Sequence, residues 1–291
     1  MAAGTLFVVA TPIGHLGDLT ERARAVLAAV SLIAVEDSRR SAPLLASLGV
    51  SVPLLAYHEH NGEARTPQLL AQLRAGDDIA LVSDAGTPLI ADPGYRLVRE
   101  ARAEGIAVVP VPGASAVMAA LSVAGLPTDR FTFRGFLPAK AGARRRALAA
   151  LAPLEETQVF FEAPHRIVAM LEDAVAAFGS AREAYLGREL TKRFESHYRG
   201  SLGELRAAAM EESLPARGEF VVVLAGASEA AAAAPALQEE QVLRLLLEEL
   251  PPARAARVAA ALLAVPKKPL YQRALLLAGL ADKGAFWARP A

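Results

Sequence analysis

Short, continuously apolar runs recur along the first half of the chain, each closed by a polar or glycine-rich turn and followed by a segment of helical period. Thr5–Ala10, Leu32–Val35, Ile79–Val82 and Ile106–Val109 read as strands, and Ile79–Val82 has the pattern of one covered on both faces. A weaker run spans Pro53–Tyr57. Helix starts such as Thr20-Glu21 lie between the runs, with a capping side chain followed by an acid in the first turn. This alternation predicts a mostly parallel sheet with its loops gathered along one edge, the edge where open α/β sheets hold ligands. The strand ends carry TPIGHLGDLT (Thr11–Thr20), EDSRR (Glu36–Arg40), HEHN (His58–Asn61), SDAGTP (Ser83–Pro88) and PVPGAS (Pro110–Ser115). After Ser83–Pro88, Asp92-Pro93-Gly94 reads as a helix start, with Asp92 as N-cap and Pro93 at the first helical position.

Near Pro127 the pattern changes. Phe131–Phe136 (FTFRGF) alternates and is rich in aromatics, and a basic loop with Lys140, Arg144, Arg145 and Arg146 follows. Strands are expected at Gln158–Glu162, Glu183–Gly187 and Glu219–Ala225, with helices from Arg146 to Ala152, up to Phe178, and from Leu202 to Glu212. Arg188–Arg199 reads as a charged segment. The reading is therefore α/β with two units, residues 1–127 and 128–226, the second sheet mixed or antiparallel. An Ala-rich linker (227–237) and a helical region (238–291) broken at Pro251-Pro252 and Pro266 complete it.

Composition narrows the function classes. A 53% hydrophobic content over 291 residues excludes a disordered chain. The 31 basic and 31 acidic residues cancel, so no global field draws the chain to nucleic acid or membrane and any polyanion site is local. Without Cys there is no disulfide framework and no thiolate metal site, which suits a reducing, cytoplasmic setting. Ile106–Pro127 carries no charge, yet Pro110, Pro112 and Gly113 divide it into strand, turn and helix, so no membrane span is expected.

TPIGHLGDLT matches neither the dinucleotide nor the P-loop pattern. It serves either as a glycine turn against a ligand or as plain turn chemistry. His58 and His60 have no third ligand nearby, so a solvated or RNA-facing cluster is favoured over a metal site, and no metal is expected. The basic residues from Lys140 to Arg146 are either a solvated helix start or phosphate contacts beside Phe131, Phe133 and Phe136. The densest chemistry lies in FFEAPHR (Phe160–Arg166) and GRELTKRFE (Gly187–Glu195), each placing acids and bases directly after a strand.

TPIGHLGDLT, VEDSRR, LVSDAGTPLIADPG, PVPGASA, FFEAPHR, RELTKRFE and GEFVVVLAG occur in the order found in the tetrapyrrole-methylase-like family of S-adenosylmethionine-dependent methyltransferases, which this chain resembles over about residues 4–226. The tail PKKPLY (Pro266–Tyr271) is similar to that of the branch that 2′-O-methylates a cytidine in the decoding region of 16S rRNA. His15 departs from the usual Asn. The resemblance implies S-adenosylmethionine as methyl donor, the small ribosomal subunit as partner, a homodimer, and two α/β domains with the donor in the cleft between them. It implies donor contacts from Pro12, Asp84, Ala85, Gly86, Thr87, Ser115, Phe161 and Glu162. Glu162, His165, Glu189 and Lys192, and more weakly Asp37 and Arg39, are the candidates for acting on the ribose hydroxyl. RNA contacts are expected from Lys140, Arg144, Arg145, Arg146, Arg188, Arg193, Lys267 and Lys268. A tetrapyrrole-precursor C-methyltransferase and a ribosome-binding module without turnover are the rival readings.

Overall fold

The computed structural model describes residues 2–211, 214–227, 234–263 and 265–279. Its first sheet contains β1 (Thr5–Val9), β2 (Leu32–Val35), β3 (Leu54–Ala56), β4 (Ile79–Val82) and β5 (Ala107–Val111), all parallel, in the order β3-β2-β4-β1-β5. β4 sits at the centre, and its alternate residues explain its unbroken apolar run. Ala80 and Val82 pack with Ala23 and Leu27 of α1 (Glu21–Ala29) and Leu45 of α2 (Ser38–Ser47). Ile79 and Leu81 pack on the other face with Leu69 and Leu73 of α3 (Gly62–Ala75) and Leu97 of α4 (Tyr95–Ala103). Pro110 falls within β5, which the sheet tolerates because β5 is an edge strand.

The uncharged stretch after Ile106 becomes β5, a loop and α5 (Ala116–Ala124), as its prolines imply. Among the described residues no helix is long and apolar enough to cross a membrane. α5 joins the two sheets: its Val117, Ala120, Leu121 and Ala124 bury against Val159, Tyr185, Val221 and Val223 of the second sheet. At about 1.5–3 kcal/mol for each large side chain buried, this contact anchors α5 on the second sheet.

The second sheet runs β6-β7-β10-β8-β9, from β6 (Phe131–Phe136), β7 (Thr157–Glu162), β8 (Glu183–Arg188), β9 (Ser196–Ser201) and β10 (Phe220–Leu224). It is mixed, as expected: β6 and β7 are parallel, and the remaining pairs are antiparallel. Its other face packs on α6 (Ala141–Leu151), α7 (Ile167–Phe178) and α8 (Leu202–Met210). β10 is buried throughout because it is central.

Three expectations are corrected. The segment Arg188–Arg199 runs into edge strand β9, whose polar residues hide it from a search for apolar runs. Arg144, Arg145 and Arg146 lie on α6, which begins at Ala141. Gly94, not Asp92, caps α4; the turn before it passes through left-handed Leu89 and Ala91 and leaves Asp92 short of the helix.

Both sheets belong to one compact unit. Pro153–Glu155 groups instead with Ala227 and the C-terminal helices Ala234–Glu249, Pro252–Leu263 and Lys267–Leu277, interrupted at Pro251 and Pro266. The first of these starts within the stretch read as a linker, of which residues 228–233 lie outside the described residues, as do residues 280–291. Leu243, Ala256, Ala259, Leu270 and Ala274 form this unit's own core.

Candidate active site

The loops after β1, β4 and β5 are stitched together. Thr11 and Gly86 exchange backbone hydrogen bonds, Thr11 N–H to Gly86 O at 2.9 Å and Gly86 N–H to Thr11 O at 3.0 Å. Thr87 Oγ1 donates to Ala114 O at 3.0 Å. Gly86 holds φ at 81°, and a Cβ there would come within 3.2 Å of Ile13 Cγ2, so both its backbone and its surroundings call for glycine. The β1 loop also reaches the second sheet: His15 N–H donates to Thr191 Oγ1 at 3.2 Å. His15 Nδ1 accepts from Gly17 N–H at 3.1 Å, a local cap that an Asn oxygen would also provide.

These loops and the ends of β7, β8 and β10 enclose a cleft of about 560 Å³, within the range that small-molecule sites occupy. Asp84, Ala85, Gly86, Thr87, Ser115, Phe161, Glu162 and Lys192 line it, as do Glu36, Asp92 and Glu219, which the sequence reading did not select. Pro12, His165, Glu189, Asp37 and Arg39 do not line it. Pro12 is buried and His165 is exposed on a 3-10 turn. Asp37 caps α2 and pairs with Arg39 at 2.7 Å; hydrogen bonds from Arg39 hold its carboxyl down at about 2, too weak a base for proton abstraction.

All four non-glycine residues with left-handed backbone among the described residues border this cleft. Leu89 and Ala91 flank Ile90, and Glu189 and Thr191 flank Leu190. Such strain persists only where surrounding contacts over-determine it. At Glu189 those contacts are visible: its Oε1 accepts from Glu219 N–H at 2.8 Å and Lys192 Nζ at 2.9 Å.

Glu162 is almost fully buried. Its Oε1 accepts from Ala163 N–H at 2.8 Å and stands 3.1 Å from Arg166 Nε, an ion pair without hydrogen-bond alignment, while Oε2 has no partner. Burial pushes its pKa up, against the pull of Ala163 N–H and Arg166. Arg166 in turn donates to Leu137 O at 2.6 Å, tying the end of β7 to the β6–α6 connection. Lys192 Nζ spends two of its three protons on Glu189 and Glu219. Burial disfavours its charge, but those carboxylates outweigh burial and raise its pKa, so Lys192 is a cation and not a base. On the first sheet's side, Asp37 N–H donates to Asp84 at 3.1 Å and Arg40 lies 3.4 Å from Asp84. Burial and the neighbouring Asp84 raise the pKa of Glu36. Burial, with repulsion from Glu36 and Asp84, raises Asp92 to about 6 despite its hydrogen bond with Ser83.

The expected RNA contacts divide by burial. Lys140, Arg145, Arg146, Arg193, Lys267 and Lys268 are exposed. Arg193 lies over the ring of Phe194, 5.4 Å from its centroid. Arg144 is instead a buried partner of Asp173 at 2.8 Å, and Arg188 donates to Arg217 O and Phe194 O at 2.6 and 3.1 Å, so neither is free to meet a phosphate.

Residues 5–206 match the family described as tetrapyrrole (corrin/porphyrin) methylases, and residues 229–278 match a C-terminal helix-turn-helix domain described under the name RsmI. The chain is 53% identical over 226 residues to the ribosomal RNA small subunit methyltransferase I of Pseudomonas aeruginosa, covering 78% of this chain and 80% of that one. It is 50% identical to the protein of the same name in Escherichia coli O157:H7, covering 77% and 78%. Its fold is similar to that of uroporphyrin-III C-methyltransferase from Thermus thermophilus in complex with S-adenosylhomocysteine, with a TM-score of 0.54 and 20% identity over 76% of this chain and 97% of that one.

Proposed function

The chain belongs to the tetrapyrrole methylase family, and from that premise we propose that it transfers the methyl group of S-adenosylmethionine to the ribose 2′-oxygen of a cytidine in the decoding region of 16S rRNA. The observation that carries the reading is identity of about half with proteins named for that RNA, together with a cleft suited to a cationic ligand. Buried Glu162 Oε2 has no partner, and Glu36, Asp84 and Asp92 add further negative character. A buried carboxylate oxygen without a partner costs free energy that a cationic ligand returns. Ser115 stands at the N-cap of α5 with its hydroxyl unused for capping, beside the helix's free N–H groups, which suits the ligand's own carboxylate. When bound, S-adenosylmethionine supplies a methyl group on a positively charged sulfur.

The chain's residues then have separable tasks. The Asp84–Thr87 loop, Ser115 and Phe161 hold the donor, and Glu162 faces its positive charge. As the ribose oxygen takes the methyl from sulfur its hydroxyl proton passes to solvent, and Lys192, which keeps one proton for the cleft, stabilises the negative charge developing on that oxygen. Most of the acceleration comes from aligning the two reactants between rigid strand ends. The cleft's acidity keeps RNA phosphates out, so the exposed Lys140, Arg145, Arg146 and Arg193 hold the backbone outside it. The reading includes a homodimer acting in the cytoplasm on the assembled small subunit, whose folded shape supplies recognition that a neutral chain cannot draw from charge.

The test is transfer of labelled methyl to purified small subunits, with nucleoside digestion to locate the label. K192M should lower kcat about a hundredfold with little change in donor affinity, and E162Q should weaken donor binding itself. Label on uroporphyrinogen and none on RNA would establish the tetrapyrrole reading instead.

A further inference from the structure

Phe136 lines the cleft with 56% of its surface exposed, an unusual position for a large apolar ring. Its direction is built into the strand. On β6, Phe133 lies opposite Val159 and Phe136 opposite Phe161, so three steps on β6 match two on β7, which is a β-bulge. Gly135, at φ 65°, supplies the left-handed backbone this needs. Strict alternation would have turned Phe136 away from the face that carries Phe133. The bulge returns it there, and both rings meet Phe161 edge to face, with centroids 4.8 Å away for Phe133 and 5.7 Å for Phe136. Phe133 and Phe161 pack into the core, whereas Phe136 leaves much of its surface to solvent.

We propose that Phe136 is the platform on which the base of the methylated nucleotide stacks; the inference rests on the RNA reading above. A ring fixed by a neighbouring ring loses little freedom on stacking and accepts any planar base face. Its exposure puts it on the solvent side of the cleft, where an acceptor arrives. Leu137-Pro138-Ala139 leads directly from it to exposed Lys140, and Arg145 and Arg146 follow on α6, a placement suited to the phosphates that adjoin a splayed-out nucleotide. The donor's adenine is the competing planar group, and the test separates the two.

Methyl transfer to purified small subunits is compared for the full-length wild type, F136A and F136W, with affinity for S-adenosylhomocysteine measured by calorimetry. F136A should lower kcat/KM for subunits about ten- to hundredfold and leave S-adenosylhomocysteine affinity unchanged, while F136W restores most of the loss. In F136W combined with W287F, tryptophan fluorescence should be quenched by a short single-stranded RNA containing cytidine and not by S-adenosylhomocysteine. A loss of S-adenosylhomocysteine affinity in F136A would make the ring an adenine platform and overturn the proposal. Wild-type kcat/KM in F136A would overturn it alone. A wild type that transfers nothing to subunits would remove the RNA reading, and this inference with it.

Discussion

Replacing Asp92 by Asn should stabilise the protein and impair it at once, and the sign follows from the cleft. Burial and the repulsion of Glu36 and Asp84 lift this carboxyl from 3.8 to about 6 in the fold. Between those pH values the folded chain binds more protons than the unfolded one, so the contribution of Asp92 to stability falls as pH rises through that window. Moving a carboxyl from 3.8 to about 6 corresponds to about 3 kcal/mol. The side chain is only half-buried, and solvent screening reduces this to about 1–2 kcal/mol. Asn keeps the shape and an oxygen toward Ser83 but cannot ionise. D92N should therefore match the wild type near pH 4 and exceed it by about 1–2 kcal/mol above pH 7. The assay is the difference in urea unfolding free energy between the two ligand-free proteins from pH 4 to 8, in which titrations common to both cancel. A difference that does not change with pH would refute the ionisation argument. In the same variant, affinity for S-adenosylmethionine should fall, because a charge facing the cationic donor is gone, and this is the usual trade of stability for a prepared site.

Gly86→Val should abolish donor binding in calorimetry: a β-branched residue at φ 81° costs about 1–2 kcal/mol or more, and its Cβ presses on Ile13. Unchanged affinity would remove this loop from the donor site. Arg144→Ala should destabilise by about 1–3 kcal/mol, because it removes the hydrogen bond to the poorly exposed Asp173 carboxylate and leaves it only Arg145, 3.9 Å away. Exposed Arg145→Ala should cost less than about 1 kcal/mol, its effect appearing in RNA affinity instead; equal losses in the two variants would refute the division by burial.

The sequence alone determined which apolar runs are strands and which strand ends carry polar and charged residues. A strand covered on both faces, such as Ile79–Val82, must be apolar at every position, and a loop such as Ser83–Pro88 must carry residues that turn; both demands are local and can be read in order along the chain. The ordered motifs also marked the family. Only the tertiary structure decided which charges remain available. Arg144 and Arg188 look like Arg145 and Arg193 in sequence, yet their partners Asp173 and Arg217 lie 29 residues away and are brought to them by packing. Asp37 is spent on its helix cap, while Glu36 beside it and Asp92 line the cleft. The same holds for β9, recognisable only once β8 lies beside it, and for Phe136, whose direction depends on a bulge defined by register against β7. Periodicity records whether a residue is covered; the identity of what covers it depends on contacts between distant segments, which local pattern does not encode.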